Sequence, residues 1–127
     1  MNDKNIPLHL TRAEKMLKEA EHFFDMEYYD ASVNRSYYAM FHATTAVLAT
    51  ENIVRSSHSG LIAAFRQFFI KTSKIDKKCG DSIQRGFELR NNNDYLPAPE
   101  TSEEATKQLL DEAKMFVQKC HEYCEKT

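Results

Sequence analysis

An arginine, a tyrosine and a histidine recur with helical spacing in the first half of the chain. Arg35, Tyr38 and His42 stand at positions i, i+3 and i+7, which places them on one side of a helix. A guanidinium donates paired hydrogen bonds to phosphate, and tyrosine offers a hydroxyl or a ring for stacking. This face therefore suits an anion site. The alternative is that Arg35 pairs with an acidic residue on another helix and that His42 is a hydrogen-bonded core histidine.

A second polar group lies near residue 90. Arg90 continues the apolar spacing of Ile83 and Phe87, so a permanent cation occupies a position that would suit leucine. One interpretation is that Arg90 and Asn91 contact phosphate or ribose while Asp94, four residues after the arginine, orients the guanidinium. The alternative is a salt bridge at a helix end, followed by an asparagine-rich stop.

His58 follows a serine near the expected start of a helix, in Ser57-His58-Ser59-Gly60. It is either a capping or surface histidine or a member of a site that faces Arg90. The central hypothesis concerns the two arginines. Arg35 and Arg90, from different helices, are expected to point into one partly dry recess and bind an anion there.

Composition limits what can position these residues. The chain has 127 residues, with only three glycines and three prolines, and we expect a single domain over residues 1–127. So few turn-forming residues argue against a sheet protein and favour an all-α fold. The formal net charge is −2, but residues 31–99 carry 9 basic and 5 acidic groups while both ends are acidic. An anionic partner is therefore expected on the middle of the chain.

Apolar residues at intervals of three and four predict five helices. The predicted segments are residues 9–27 with a capping box at Thr11–Glu14, Ala31–Ala49 capped by Asp30, a stripe from Leu61 to Phe69 capped by Ser56 or Ser57, Asp76–Asn92 stopped by Asn91–Asn93, and a last helix opened by a capping box at Thr101–Glu104. The second segment is apolar on two faces and is expected to be central. Short connections then predict an antiparallel up-and-down bundle of four long helices plus one shorter helix.

Targeting and metal-binding signals are weak in this sequence. The first ten residues lack the apolar core of a signal peptide, and no run is long enough to span a bilayer, so we expect a cytoplasmic protein without a membrane partner. The three cysteines are expected to be reduced thiols. Cys120 and Cys124 lack the second ligand pair of a zinc site. We therefore expect neither a metal site nor a cofactor.

Several of these residues together resemble the HEPN domain of prokaryotes, over about residues 10–124. The residues that carry the resemblance are Tyr28, the run Ala31–Ala43 (ASVNRSYYAMFHA), Ser57-His58-Ser59-Gly60-Leu61, Phe87 with Arg90 and Asp94-Tyr95, and Ala113 with Phe116-Val117. The resemblance implies a bundle of four to five helices that forms a homodimer. It also implies a place beside a minimal nucleotidyltransferase in a toxin–antitoxin pair, with the HEPN protein as toxin.

Catalytic HEPN domains are metal-independent ribonucleases in which an arginine and a polar residue are followed, after a few positions, by a histidine. Arg90 and Asn91 match this pattern, but the next five positions hold no histidine. Cleavage through the 2′-hydroxyl needs an acid and a base that titrate near neutrality, so His58 or His42 would have to substitute. The candidate catalytic set is Arg90, Asn91, Asp94 and His58, and the candidate binding set is Arg35, Tyr38, His42 and Tyr95. Binding of nucleotide, RNA or a partner protein without cleavage is the alternative function.

Overall fold

The computed structural model describes residues 5–95 and 101–127, except for the side chains of Asp94 and Tyr95. These residues form α1 (Asn5–Asp25), α2 (Tyr29–Ala49), α3 (His58–Phe65), α4 (Lys77–Tyr95) and α5 (Glu103–Lys126), and a π-helical turn over Arg66–Ile70 extends α3. No strand occurs within the described ranges. The predicted all-α bundle of four long helices and one shorter helix is confirmed.

Helix α2 is the centre of the bundle and packs against the other four α-helices. Its apolar residues point to more than one side, and Val33, Tyr37, Met40 and Val47 are fully buried. Helix α4 approaches α2 closely at Gly86, where a Cβ atom would lie 2.8 Å from the methyl carbon of Met40. The glycine that weakens α4 as an isolated helix thus permits the packing of α4 on α2.

The predicted limits of the first helix are wrong at both ends. Helix α1 begins at Asn5, so Thr11 lies in its interior and the predicted capping box is not its start. The early start is consistent with burial of Ile6, and a proline in the first turn costs no hydrogen bond. The helix ends earlier than predicted because Glu27 adopts a φ of 64°, and the Tyr28 amide donates to the Phe23 carbonyl at 2.8 Å.

The predictions for the ends of the other helices are confirmed at some positions and wrong at others. Ser57 accepts a hydrogen bond from the Gly60 amide, as the sequence predicts. The cap of α5 is Ser102, which accepts from the Ala105 amide, so the predicted capping box begins one residue too early. Asp30 is not a cap but lies in the first turn of α2. The asparagine run does not end α4, which continues to Tyr95. Asparagine costs a helix less than about 1 kcal/mol per residue, which tertiary contacts override.

Candidate functional site

Arg90 of α4 and His58 of α3 meet around two tyrosines of α2. The guanidinium carbon of Arg90 lies 5.3 Å from the ring centroid of Tyr38 and 5.8 Å from that of Tyr37. The imidazole of His58 stacks on Tyr37 with the centroids 5.6 Å apart, and its Nδ1 atom lies 2.6 Å from the Tyr37 hydroxyl. We call these four residues the Arg90–His58 site.

Aromatic side chains surround the imidazole in this site. The ring centroid of Phe41 lies 4.7 Å from that of His58, and Phe87 of α4 stacks on His58 at 6.2 Å. Burial among these rings lowers the pKa of His58, and the Arg90 charge lowers it further. His58 is therefore neutral at pH 7, beside a permanent cation.

The hydrogen bond to Tyr37 decides which nitrogen of His58 carries the proton. Burial raises the pKa of Tyr37 well above its usual range, against the opposing effect of Arg90, so the phenol keeps its proton. A buried hydroxyl must donate, and among the described residues the acceptor within reach is His58 Nδ1. The proton of the imidazole then lies on Nε2. The site consequently presents donors, the Arg90 guanidinium and the His58 Nε2–H, which suit an anion.

Arg35 has partners of its own. Its Nε donates to Glu19 of α1 at 2.8 Å, its guanidinium also donates to Asn34, and the guanidinium carbon lies 5.6 Å from the ring centroid of Phe23. These are the contacts that the ion-pair interpretation expects, and they are not those of the Arg90–His58 site. The shared recess for two guanidiniums therefore has no geometric support, and anion binding by Arg35 stays a prediction.

His42 lies against α1 and is not hydrogen-bonded through Nδ1, which is screened from solvent and meets no partner among the described residues. Its ring stacks on His9 with the centroids 6.2 Å apart and lies nearly perpendicular to the ring of Phe41 at 5.7 Å. Burial, the Arg12 charge and His9, in that order, lower the pKa of His42 to about 4. One interpretation of the sequence made His42 a hydrogen-bonded core histidine. In the structure its ring is instead stacked on His9.

A pH dependence of stability follows from His42. Because its pKa is about 4 in the folded chain and near 6.5 in the unfolded chain, the free energy of unfolding is expected to fall as the pH decreases from about 6.5 to about 4. The contribution of one histidine is at most about 1.4 kcal/mol per pH unit. Urea denaturation at several pH values gives the free energy of unfolding as a function of pH. This free energy should change less with pH in His42→Gln than in the matched exposed variant His22→Gln. Equal slopes would contradict the assignment.

The remaining predicted residues are placed only in part. Asn91 is half-buried on α4, and the side chains of Asp94 and Tyr95 lie outside the described residues, so their roles stay predictions. In the described ranges, no group of three or more His, Cys, Asp or Glu is arranged to hold a metal ion. No helix there combines the length and apolar character needed to cross a bilayer.

The model of the HEPN domain matches residues 6–123. The chain belongs to the HEPN family. A relative in Methanocaldococcus jannaschii named "Putative toxin MJ0142" is 33% identical over 90% of this chain and 78% of its own length. A "UPF0332 protein" of Thermotoga maritima is 36% identical over 92% of this chain and 90% of its own. "Putative toxin MJ0605" of Methanocaldococcus jannaschii is 36% identical over 83% of this chain and 78% of its own length.

Sequence reasoning did not identify all the residues that build this HEPN site. By helical spacing, Tyr37, Phe41 and Phe87 are apolar residues of the helix stripes, and nothing in the sequence singles out His9 or Arg12, which act on His42. The tyrosine hydroxyl was a usable signal for Tyr37, because a phenol on a buried helix needs a hydrogen-bond partner. No sequence signal pairs His9 with His42, because their contact crosses two helices.

Proposed function

We propose that this HEPN protein is the toxin-type component of a toxin–antitoxin pair and binds RNA or nucleotide phosphate at the Arg90–His58 site. The observation that carries the proposal is the position of the Arg90 guanidinium over two tyrosine rings, next to a neutral imidazole that offers an N–H. A guanidinium and an N–H donor match the oxygens of a phosphate, and the partly exposed Tyr38 ring can stack on a base. The names of two relatives, which contain the word toxin, support the physiological role.

Metal-independent RNA cleavage is the second candidate function, and the imidazole of His58 beside Arg90 is the observation that favours it. Cleavage through the 2′-hydroxyl requires one group that removes a proton and one that supplies it. With Nδ1 engaged by Tyr37, the Nε2–H of the neutral His58 can donate a hydrogen bond but can neither accept a proton nor release one near neutrality. The geometry of one chain therefore favours binding without cleavage.

Purified protein mixed with short RNA in the presence of EDTA tests the two functions. We expect retention of RNA in a filter-binding assay and no cleavage products on a denaturing gel. Products that persist in EDTA and disappear in His58→Gln would establish cleavage in place of simple binding. Absence of both binding and cleavage would overturn the proposal.

The partners belong to the same proposal. We propose that the chain forms a homodimer and that its second partner is a minimal nucleotidyltransferase, as the HEPN resemblance implies. Sedimentation of the isolated protein is then expected to give about twice the chain mass of 14.8 kDa. Addition of the nucleotidyltransferase encoded beside it is expected to give a larger complex and to relieve toxicity on co-expression. A monomer at micromolar concentration that ignores the nucleotidyltransferase would contradict both assignments.

A further inference from the structure

We infer that Arg12, His9 and His42 form a second phosphate-binding position beside the Arg90–His58 site, so that the ligand is a single-stranded polynucleotide and not a mononucleotide. This inference rests on the proposed function, because it concerns how many phosphates the same surface binds. We call the three residues the α1–α2 basic cluster.

The cluster is formed by one turn of α1 and the facing turn of α2. His9 and Arg12 are three residues apart and share a face of α1. The His9 ring lies on the His42 ring at 6.2 Å with an angle of 18° between the planes. Arg12 therefore stands one turn from a pair of stacked imidazoles, and its charge acts on His42.

Two aromatic rings connect the cluster to the Arg90–His58 site. Phe41 contacts both imidazoles, with centroid distances of 4.7 Å to His58 and 5.7 Å to His42. Tyr38 lies 5.8 Å from His58 and 6.5 Å from His42, and it also carries the Arg90 guanidinium over its ring. The donors of the two positions are thus neighbours across a single aromatic layer.

The charge balance at the cluster favours an anion. Some basic residues on the bundle pair with carboxylates, as Arg35 pairs with Glu19 and Arg85 pairs with Glu112. Within the described ranges no carboxylate lies at ion-pair distance from Arg12, which is exposed. His42 adds an Nε2–H donor. Its Nδ1 atom is screened from solvent and has no acceptor, so a proton on Nδ1 would be a buried donor without a hydrogen bond, and the tautomer with the proton on Nε2 is favoured. Arg12 and His42 therefore offer donors without an internal acceptor.

The hydroxyl of Tyr38 gives the same indication. No hydrogen bond joins it to any described residue, and its side chain is only partly buried. The Tyr38 ring contacts the rings of both His58 and His42, so the sugar or base linking two consecutive phosphates would pass over this residue. A mononucleotide with one phosphate would engage only one of the two positions, whereas a strand engages both.

The experiment measures binding of hexauridylate, hexathymidylate and uridine monophosphate to the full chain by fluorescence competition, over about 50 to 200 mM salt. The variants are Arg12→Gln and a control, Lys18→Gln, which removes one charge from another face of α1. We expect Arg12→Gln to weaken binding of either hexamer by roughly tenfold and to reduce the salt slope by about 0.7. Affinity for uridine monophosphate should change less than twofold, and Lys18→Gln should resemble the parent.

The outcomes separate the inference from the proposed function. If hexamers and monophosphate bind equally well and Arg12→Gln has no effect, the second position is wrong while phosphate binding stands. If His9→Gln, which keeps the charge of Arg12, weakens hexamer binding as well, the stacked pair is part of the position. If no probe binds, the proposed function itself fails. A difference between the uridylate and thymidylate hexamers reports the 2′-hydroxyl and the C5-methyl group together and leaves the count of phosphates unchanged.

Discussion

Arg90→Ala is expected to weaken RNA binding by roughly 10- to 100-fold, the largest effect of any single substitution on the activity of this protein. Hydrogen bonds from a charged donor contribute about 1.5–3 kcal/mol each. The guanidinium is also preorganised, since the rings of Tyr37 and Tyr38 hold it within 6 Å. Filter binding with short RNA at fixed ionic strength measures the loss.

Two variants separate a lost contact from a lost charge. Arg90→Lys keeps the charge but not the planar pair of donors, so its affinity should fall between those of the parent and the alanine variant. Lys77→Gln removes a cation from the exposed start of α4 and should bind RNA as the parent does. Equal losses in Arg90→Ala and Lys77→Gln would mean that RNA responds only to total charge.

The pKa of His58 reports on Arg90 independently of any ligand. Because the Arg90 charge contributes to lowering that pKa, its removal should raise it. The change can be followed by NMR titration of the imidazole in the Arg90→Ala variant. A His58 that titrates identically in parent and variant would place the two groups farther apart than the structure does.

Phe116→Ala is expected to lower the free energy of unfolding by about 3–5 kcal/mol, the largest effect on stability. Phe116 is 1% exposed on α5, and its ring centroid lies 5.5 Å from that of Phe65 on α3. Truncation leaves a cavity where α5 meets the short helix, and a domain of this size has only about 5–15 kcal/mol in total.

The neighbouring residue provides the control for this prediction. Met115 precedes Phe116 on α5 but is 52% exposed, so Met115→Ala should change the free energy of unfolding by less than about 0.5 kcal/mol. Chemical denaturation of both variants, each followed by circular dichroism, gives the comparison. Similar losses for the two would mean that α5 does not close the core through Phe116.

Local patterns in the sequence were sufficient for the number and order of the helices and for the cap at Ser57. The spacing of apolar residues predicted five helices with α2 at the centre, because a helix surrounded by others must be apolar on more than one face. Ser57 was recognised because capping depends on a side chain and the amide three residues later. The capping box predicted from Thr101 is displaced by one residue, to Ser102. Helix ends without a side-chain cap were missed. The left-handed Glu27 and the continuation of α4 through the asparagines are examples.

The sequence by itself determined the family, the helical bundle and Arg90 as a cation in an apolar stripe, because these follow from residue types at fixed spacings along the chain. Only the tertiary structure decided which groups meet. It brought His58 and Arg90 to the same two tyrosines, paired Arg35 with Glu19, and stacked His42 on His9. Each of these contacts joins different helices, and their relative rotation depends on how whole faces pack, which no local spacing specifies.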